Sequence, residues 1–227
     1  MNTANNAAPD AAPASTASDG SHGSAAKAPL DFYFDFISPF GYFAALRIEA
    51  LAAQYGRTVA WHSMLLGVSV MKVMGLKPLL DTPLKGDYIR REFARYVRRH
   101  GLVLKRQAGD AMMDPRACGR AFHWVKQHQP GREAALARAL LHAYWVEGQD
   151  LGTADATVQA AQTAGFDPVQ LREAIESEDA RTLLRGAVDA SLKRGVFGSP
   201  TFIVDGEPFW GVETLGSVEE WLRQGGW

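Results

Sequence analysis

The run Asp31-Phe32-Tyr33-Phe34-Asp35-Phe36-Ile37-Ser38-Pro39-Phe40-Gly41-Tyr42 decides how the rest of the chain is read. Its first half alternates. Phe32, Phe34 and Phe36 share one side of a period-two pattern, the mark of a strand with a buried face. Its second half is a helix start, with Ser38 as N-cap and Pro39 at the first helical position, where a missing N–H is harmless. That helix is expected to run through Phe43, Leu46, Ile48 and Leu51 and to end near Gly56. Thr58 to Ser63 reads as a second strand, with Val59 and Trp61 on one face. Strand, helix and strand in so short a span form a βαβ unit, which requires a parallel pair.

Toward the C-terminus the periodicity turns helical. Asp87 to His100 places Ile89, Phe93, Tyr96 and Val97 at helical spacing, with Arg91, Arg95 and Arg99 on another stripe, and Gly101 stops it. Pro115 to His128, Arg132 to Glu147, Thr153 to Ala164, Pro168 to Glu176 and Asp179 to Arg194 are further helices, each opening near Pro, Asp or Thr. Thr201 to Val204, an Asp205-Gly206 turn and Glu207 to Trp210 then form a β-hairpin, and a last helix covers Leu215 to Arg223. The order is β-α-β, an all-helical block, then β-β-α. This is an α/β protein with a thioredoxin-like domain, residues 30–66 and 178–227, carrying an inserted all-helical domain, residues 67–177.

Residues 1–29 are mostly Ala, Ser, Asn, Pro and Gly, without Leu, Ile, Val or an aromatic residue before Leu30. They cannot bury enough apolar surface to offset ordering entropy, so a disordered tail is expected. The segment lacks the basic start and apolar core of a secretory signal, and no apolar run elsewhere is long enough to span a membrane. A net charge of −1 gives no long-range pull toward nucleic acid or an anionic membrane. The single cysteine, Cys118, excludes an intramolecular disulfide and a Cys-rich metal cluster, and suits a reducing cytoplasm. Cys118 reads as a small core residue. The six histidines offer no i, i+4 pair, so no metal site is expected.

Two short segments carry the chemistry. Ser38-Pro39-Phe40-Gly41 stands where thioredoxin-like oxidoreductases keep Cys-x-x-Cys, its thiolate stabilised at a helix N-terminus. Ser38 and Gly41 occupy both cysteine positions, which excludes dithiol–disulfide exchange here. Gly198-Ser199-Pro200-Thr201 precedes the hairpin. An X-Pro bond is cis in only about 5–6% of folded cases, but in this fold a proline at this point is usually cis and faces the first helix. The backbone of the preceding residue can then pair with an extended ligand.

Together with Val196-Phe197-Gly198-Ser199-Pro200-Thr201 and Phe209-Trp210-Gly211, the opening run resembles the 2-hydroxychromene-2-carboxylate isomerase family. That group is close to kappa-class glutathione transferases within the DsbA-like superfamily, and the resemblance covers Leu30 to the C-terminus. It implies glutathione as cofactor, a small aromatic pyruvate-type substrate, a place in aromatic-compound degradation and a homodimer. Ser38 matches the family serine that donates a hydrogen bond to the glutathione sulfur. A free thiol titrates at about 8.5, so a hydroxyl donor that favours the anion has a clear use at neutral pH. Ser199 and Pro200 match the turn that pairs with the cysteinyl part of glutathione, and Trp210, Gly211, Val212 and Glu213 match the segment that holds its γ-glutamyl end. The family usually has Asp at the Glu213 position, often Arg at that of Thr214, and commonly Asn at that of Leu76. In the family reaction a thiolate adds to a conjugated double bond, the resulting single bond rotates, and elimination restores the alkene. A cation is needed for the substrate carboxylate. Of Lys72, Lys77 and Lys85, the resemblance favours Lys72 and Lys85.

Each feature has a plainer reading. Ser-Pro at a strand-to-helix junction is, alone, an ordinary cap; Ser199-Pro200 alone is a turn; the arginine stripe is a solvated face. Two other functions use the same residues: a kappa-like glutathione transferase or peroxidase, and a thioredoxin-like binding module without catalysis.

Overall fold

The computed structural model describes residues 27–227; residues 1–26, which hold most of the expected tail, lie outside the described residues. Four strands form one mixed sheet in the order β2-β1-β3-β4: β1 Leu30–Phe34, β2 Val59–Ser63, β3 Thr201–Val204 and β4 Glu207–Trp210. β1 and β2 are parallel, with Phe32 opposite Trp61, as a βαβ unit requires. β3 runs antiparallel to β1 and pairs with β4 through the expected hairpin. Asp205 and Gly206 both take positive φ, 53° and 94°, which a two-residue hairpin turn demands. Arg57 holds the Asp205 carboxylate through both oxygens at 2.7 Å.

The helix after β1 departs from the expected single element. It breaks into α1 Pro39–Ala45 and α2 Ile48–Gln54, with Leu46 and Arg47 in a turn between them. Phe43 and Ile48 are both fully buried. Five residues apart on a straight helix, they would point about 140° away from each other. The break lets both reach the core, and it leaves Leu46, expected on the buried stripe, 50% exposed.

Every element between β2 and β3 is helical. A π-helical segment, Gly67–Val73, and a 3₁₀ turn, Leu79–Asp81, lead to α3 Lys85–Arg99, α4 Arg116–His128, α5 Glu133–Trp145, α6 Ala154–Gln162, α7 Pro168–Glu176 and α8 Glu178–Lys193. α9, Leu215–Gln224, closes the chain. Thr153, Asp167 and Ser177 cap α6, α7 and α8, each side chain accepting a backbone N–H three residues on. The fold is thioredoxin-like with a helical insertion.

Phe32, Phe34 and Phe36 are fully buried, and the edge of Phe122 from α4 meets Phe34 at 5.5 Å. One continuous hydrophobic cluster therefore joins the sheet to the insertion. The opposite face of β1 is more polar. Tyr33 stacks on His62 at 4.5 Å, and Arg194, just past α8, bonds the Tyr33 hydroxyl and pairs with Asp31 at 2.8 Å. Arg91, Arg95 and Arg99 are exposed, as a solvated face would be. No helix among the described residues is long and apolar enough to cross a membrane.

Candidate functional site

β1 ends at Phe34, and the chain turns through Asp35-Phe36-Ile37 into the cap of α1. Ser38 has extended backbone angles, and its Oγ accepts the Gly41 N–H at 3.0 Å. The same oxygen donates to the Ser199 carbonyl at 3.0 Å, across to the turn before β3. The Ser199–Pro200 peptide is cis. A return link runs from the Asp35 N–H to Ser199 Oγ, also 3.0 Å. Two turns far apart in sequence are thus laced hydroxyl to backbone. Because each serine oxygen already accepts a backbone N–H, each hydroxyl proton is left to be donated. Ser38 is only 3% exposed, so its O–H faces the Ser199 turn and not bulk water.

The hairpin brings the rest of the expected set alongside. Trp210 lies opposite Thr201, and the Gly211 N–H donates to the Pro200 carbonyl at 3.0 Å. Gly211 has φ 100°, and a Cβ there would collide with the Glu213 carboxylate, which folds back over it. Trp210 is 47% exposed, stands against Phe197 at 5.0 Å and covers Gly198 so closely that no side chain fits. Val212 is buried and Glu213 exposed. The two lysines stand apart. Lys72 is exposed in the π-helical segment and Lys85 exposed at the first residue of α3, and among the described residues no hydrogen bond ties either to the Ser38 turn. Leu76 is also exposed.

Asp35 was not read from the sequence as a site residue. It is fully buried directly beneath the serine turn, and its carboxyl accepts the Leu66 N–H at 2.7 Å and the Ile37 N–H at 3.3 Å. Burial pushes its pKa up to about 7, against the pull of those backbone donors. Its signal in the sequence is a lone acid between Phe34 and Phe36, which the strand pattern absorbs as a solvent-facing position. Cys118 is fully buried in α4, where burial pushes its thiol up to about 12. It is a core residue with no thiolate to offer at neutral pH.

Residues 29–223 match the family model of the DSBA-like thioredoxin domain. The chain is 28% identical to 2-hydroxychromene-2-carboxylate isomerase of Pseudomonas putida over 193 residues, covering 84% of this chain and 92% of that protein. It is 26% identical to glutathione S-transferase kappa 1 of Rattus norvegicus, over 79% of this chain and 83% of that one. A solved structure of 2-hydroxychromene-2-carboxylate isomerase superposes with a TM-score of 0.73 at 24% identity, covering 86% of this chain and 94% of the other. The family model spans most of the chain, and the chain belongs to the DSBA-like thioredoxin-domain family.

Proposed function

We propose that the protein is a glutathione-dependent cis–trans isomerase of an aromatic, pyruvate-bearing substrate. One observation carries the reading: the Ser38 hydroxyl is fixed as a donor, by the Gly41 N–H behind it, at the mouth of the Ser199–Pro200 turn. The residues present fit glutathione. Ser38 and Ser199 would take the cysteinyl part, and the exposed Glu213 carboxylate, one residue past buried Val212, would accept from the γ-glutamyl ammonium. When bound, glutathione supplies a thiolate that adds to a conjugated double bond, making it single long enough to rotate, and then leaves.

What the chain does in that chemistry is electrostatic. Ser38 turns its O–H from the Ser199 carbonyl toward the incoming anion, exchanging a neutral acceptor for a charged one, and a hydrogen bond to a charged acceptor is roughly twice as strong. Ser199 has a second hydroxyl proton to give from the facing side. α1 is seven residues long, so its dipole adds little, and the side-chain donors carry the polarisation. The similarity to 2-hydroxychromene-2-carboxylate isomerases favours isomerisation. The similarity to a kappa glutathione transferase keeps conjugation as the second reading, with the same cofactor and the same serine.

Calorimetric titration with reduced glutathione, followed by turnover of 2-hydroxychromene-2-carboxylate, tests the proposal. The expected result is one-to-one binding, turnover that stops without glutathione, and Ser38→Ala with near-normal glutathione affinity but turnover lowered 100-fold or more, on the scale of losing one oxyanion-type donor, about 10²–10³. Loss of the cap costs that variant about 1 kcal/mol of stability, so it is assayed well below its melting temperature. No glutathione binding at millimolar concentration would sink both enzyme readings and leave a binding module. A stable thioether product with a chlorinated aromatic, without isomerisation, would select the transferase.

A further inference from the structure

Asp35 engages every one of its polar groups at the serine site. Its N–H donates to Ser199 Oγ and its carbonyl accepts the Ser38 N–H, both at 3.0 Å. One carboxyl oxygen accepts the Ile37 N–H at 3.3 Å, inside the serine turn, and the other accepts the Leu66 N–H at 2.7 Å. Three segments far apart in sequence therefore meet on one residue: the turn into α1, the cis-proline turn, and the chain leaving β2. Leu66 stands immediately before the π-helical segment, so the same carboxyl also fixes where Gly67–Val73 departs from the sheet.

Packing alone does not ask for a carboxyl here. The side chain is fully buried, and among the described residues no cation pairs with it. Burial disfavours its charged form, which is why its pKa climbs to about 7. A neutral acceptor would meet backbone donors without that penalty. Groups whose pKa burial shifts this far cluster at functional sites, where one fixed geometry outweighs stability.

We propose that Asp35 is the positioning residue of the serine site: its carboxyl holds the Ser38 turn to the chain leaving β2, and its N–H holds Ser199, so that one residue sets the spacing of the two hydroxyl donors. Buried beneath the turn, it acts through Ser38 and Ser199 and not on the ligand. The chemistry it serves rests on the glutathione reading; the restraint it places on the turn does not.

Amide hydrogen exchange, followed by NMR on the full chain without ligand, tests the restraint directly. In Asp35→Asn one carbonyl acceptor remains, while the amide N–H₂ confronts the second backbone donor. Exchange at Gly41, whose N–H is held by Ser38 Oγ, should speed by about tenfold or more, while Leu140 in α5 and Ile175 in α7 exchange as in the wild type. Turnover of 2-hydroxychromene-2-carboxylate with glutathione tests the function. Asp35→Asn should lower kcat by about tenfold or more and leave the KM for glutathione within about twofold. In the Ser38→Ala background it should cost no further turnover, because the donor it positions is gone. Asp35→Ser, which keeps a small acceptor and removes the clash, serves if Asp35→Asn folds poorly. The proposal is overturned if Gly41 exchange does not change, if all amides speed up alike, or if Asp35→Asn costs the Ser38→Ala protein as much turnover as it costs the wild type. A protein that ignores glutathione yet shows the selective exchange at Gly41 would uphold the role of Asp35 and defeat the isomerase reading.

Discussion

Gly41 follows Ser38 by three residues, and a methyl group on it would come within 2.6 Å of the Ser199 hydroxyl. In an ordinary helix Gly→Ala gains up to about 1 kcal/mol. Here the added carbon must push Ser199 away, and with it the bonds to Asp35 and Ser38. Gly41→Ala is therefore expected to cost about 1–2 kcal/mol net in urea unfolding, the scale of overpacking. Ser199→Ala removes the obstructing oxygen, so the double variant should cost less than the sum of the two singles. Simple additivity would show that the two sites do not touch. The same contrast decides which site residues can be read from sequence. Ser38, Pro39 and Pro200 announce themselves because capping and turn chemistry are local. Asp35 looks like a solvent-facing strand position, and only the chain of β2, returning through Leu66, encloses it.

Elements follow the same division. The starts of α6, α7 and α8 and the Asp205-Gly206 hairpin rest on short-range hydrogen bonds that Thr153, Asp167, Ser177 and a positive-φ pair make almost anywhere. The stretch from Met64 to Leu84 gave no periodic signal. Met71, Val73, Met74, Leu76 and Leu79 are exposed, so their spacing does not mark a buried face. The π-helical winding, with Met74 N–H reaching back five residues to Ser69, follows neither of the usual periods. This stretch ends in a strained turn. Leu84 has φ 67° and ψ −45°, and the Lys85 N–H reaches the Pro83 carbonyl at 2.8 Å, the geometry of a γ-turn that a side chain resists. Its side chain is 91% exposed and contributes little packing. Leu84→Gly should therefore stabilise the protein by about 0.5–1 kcal/mol, relief of backbone strain outweighing the greater freedom of an unfolded glycine. A lower melting temperature in this variant would mean that the leucine packs against something in solution.

At the scale of the whole molecule, two buried groups set the pH dependence of stability, and they oppose each other. Burial raises the Asp35 carboxyl from 3.8 to about 7. Between those values the folded chain holds a proton that the unfolded chain has released. Its contribution therefore falls as pH rises through that window, by roughly 4 kcal/mol in all at about 1.4 kcal/mol per pKa unit. Burial lowers His123 from 6.5 to about 4, its Nε2 donating to the Ser63 carbonyl at 2.9 Å. Here the folded chain lacks a proton that the unfolded chain binds. This contribution is complete above pH 6.5 and is lost as pH falls toward 4, by roughly 3 kcal/mol. His62, whose pKa is also lowered by burial, acts in the same sense as His123. The wild type should accordingly show a nearly flat stability between pH 4.5 and 6.5, tilted slightly upward. Asp35→Asn removes one side of the balance, and its unfolding free energy should climb by about 1.4 kcal/mol per pH unit across the same range. His123→Gln, which can still donate to Ser63, should fall with rising pH instead. Urea unfolding of the three proteins at pH 4.5, 5.5 and 6.5 reads these slopes directly. Parallel curves would mean that water reaches Asp35 and His123 in the folded state, and that the seal between sheet and insertion around Phe34, Phe36 and Phe122 is looser than their packing implies.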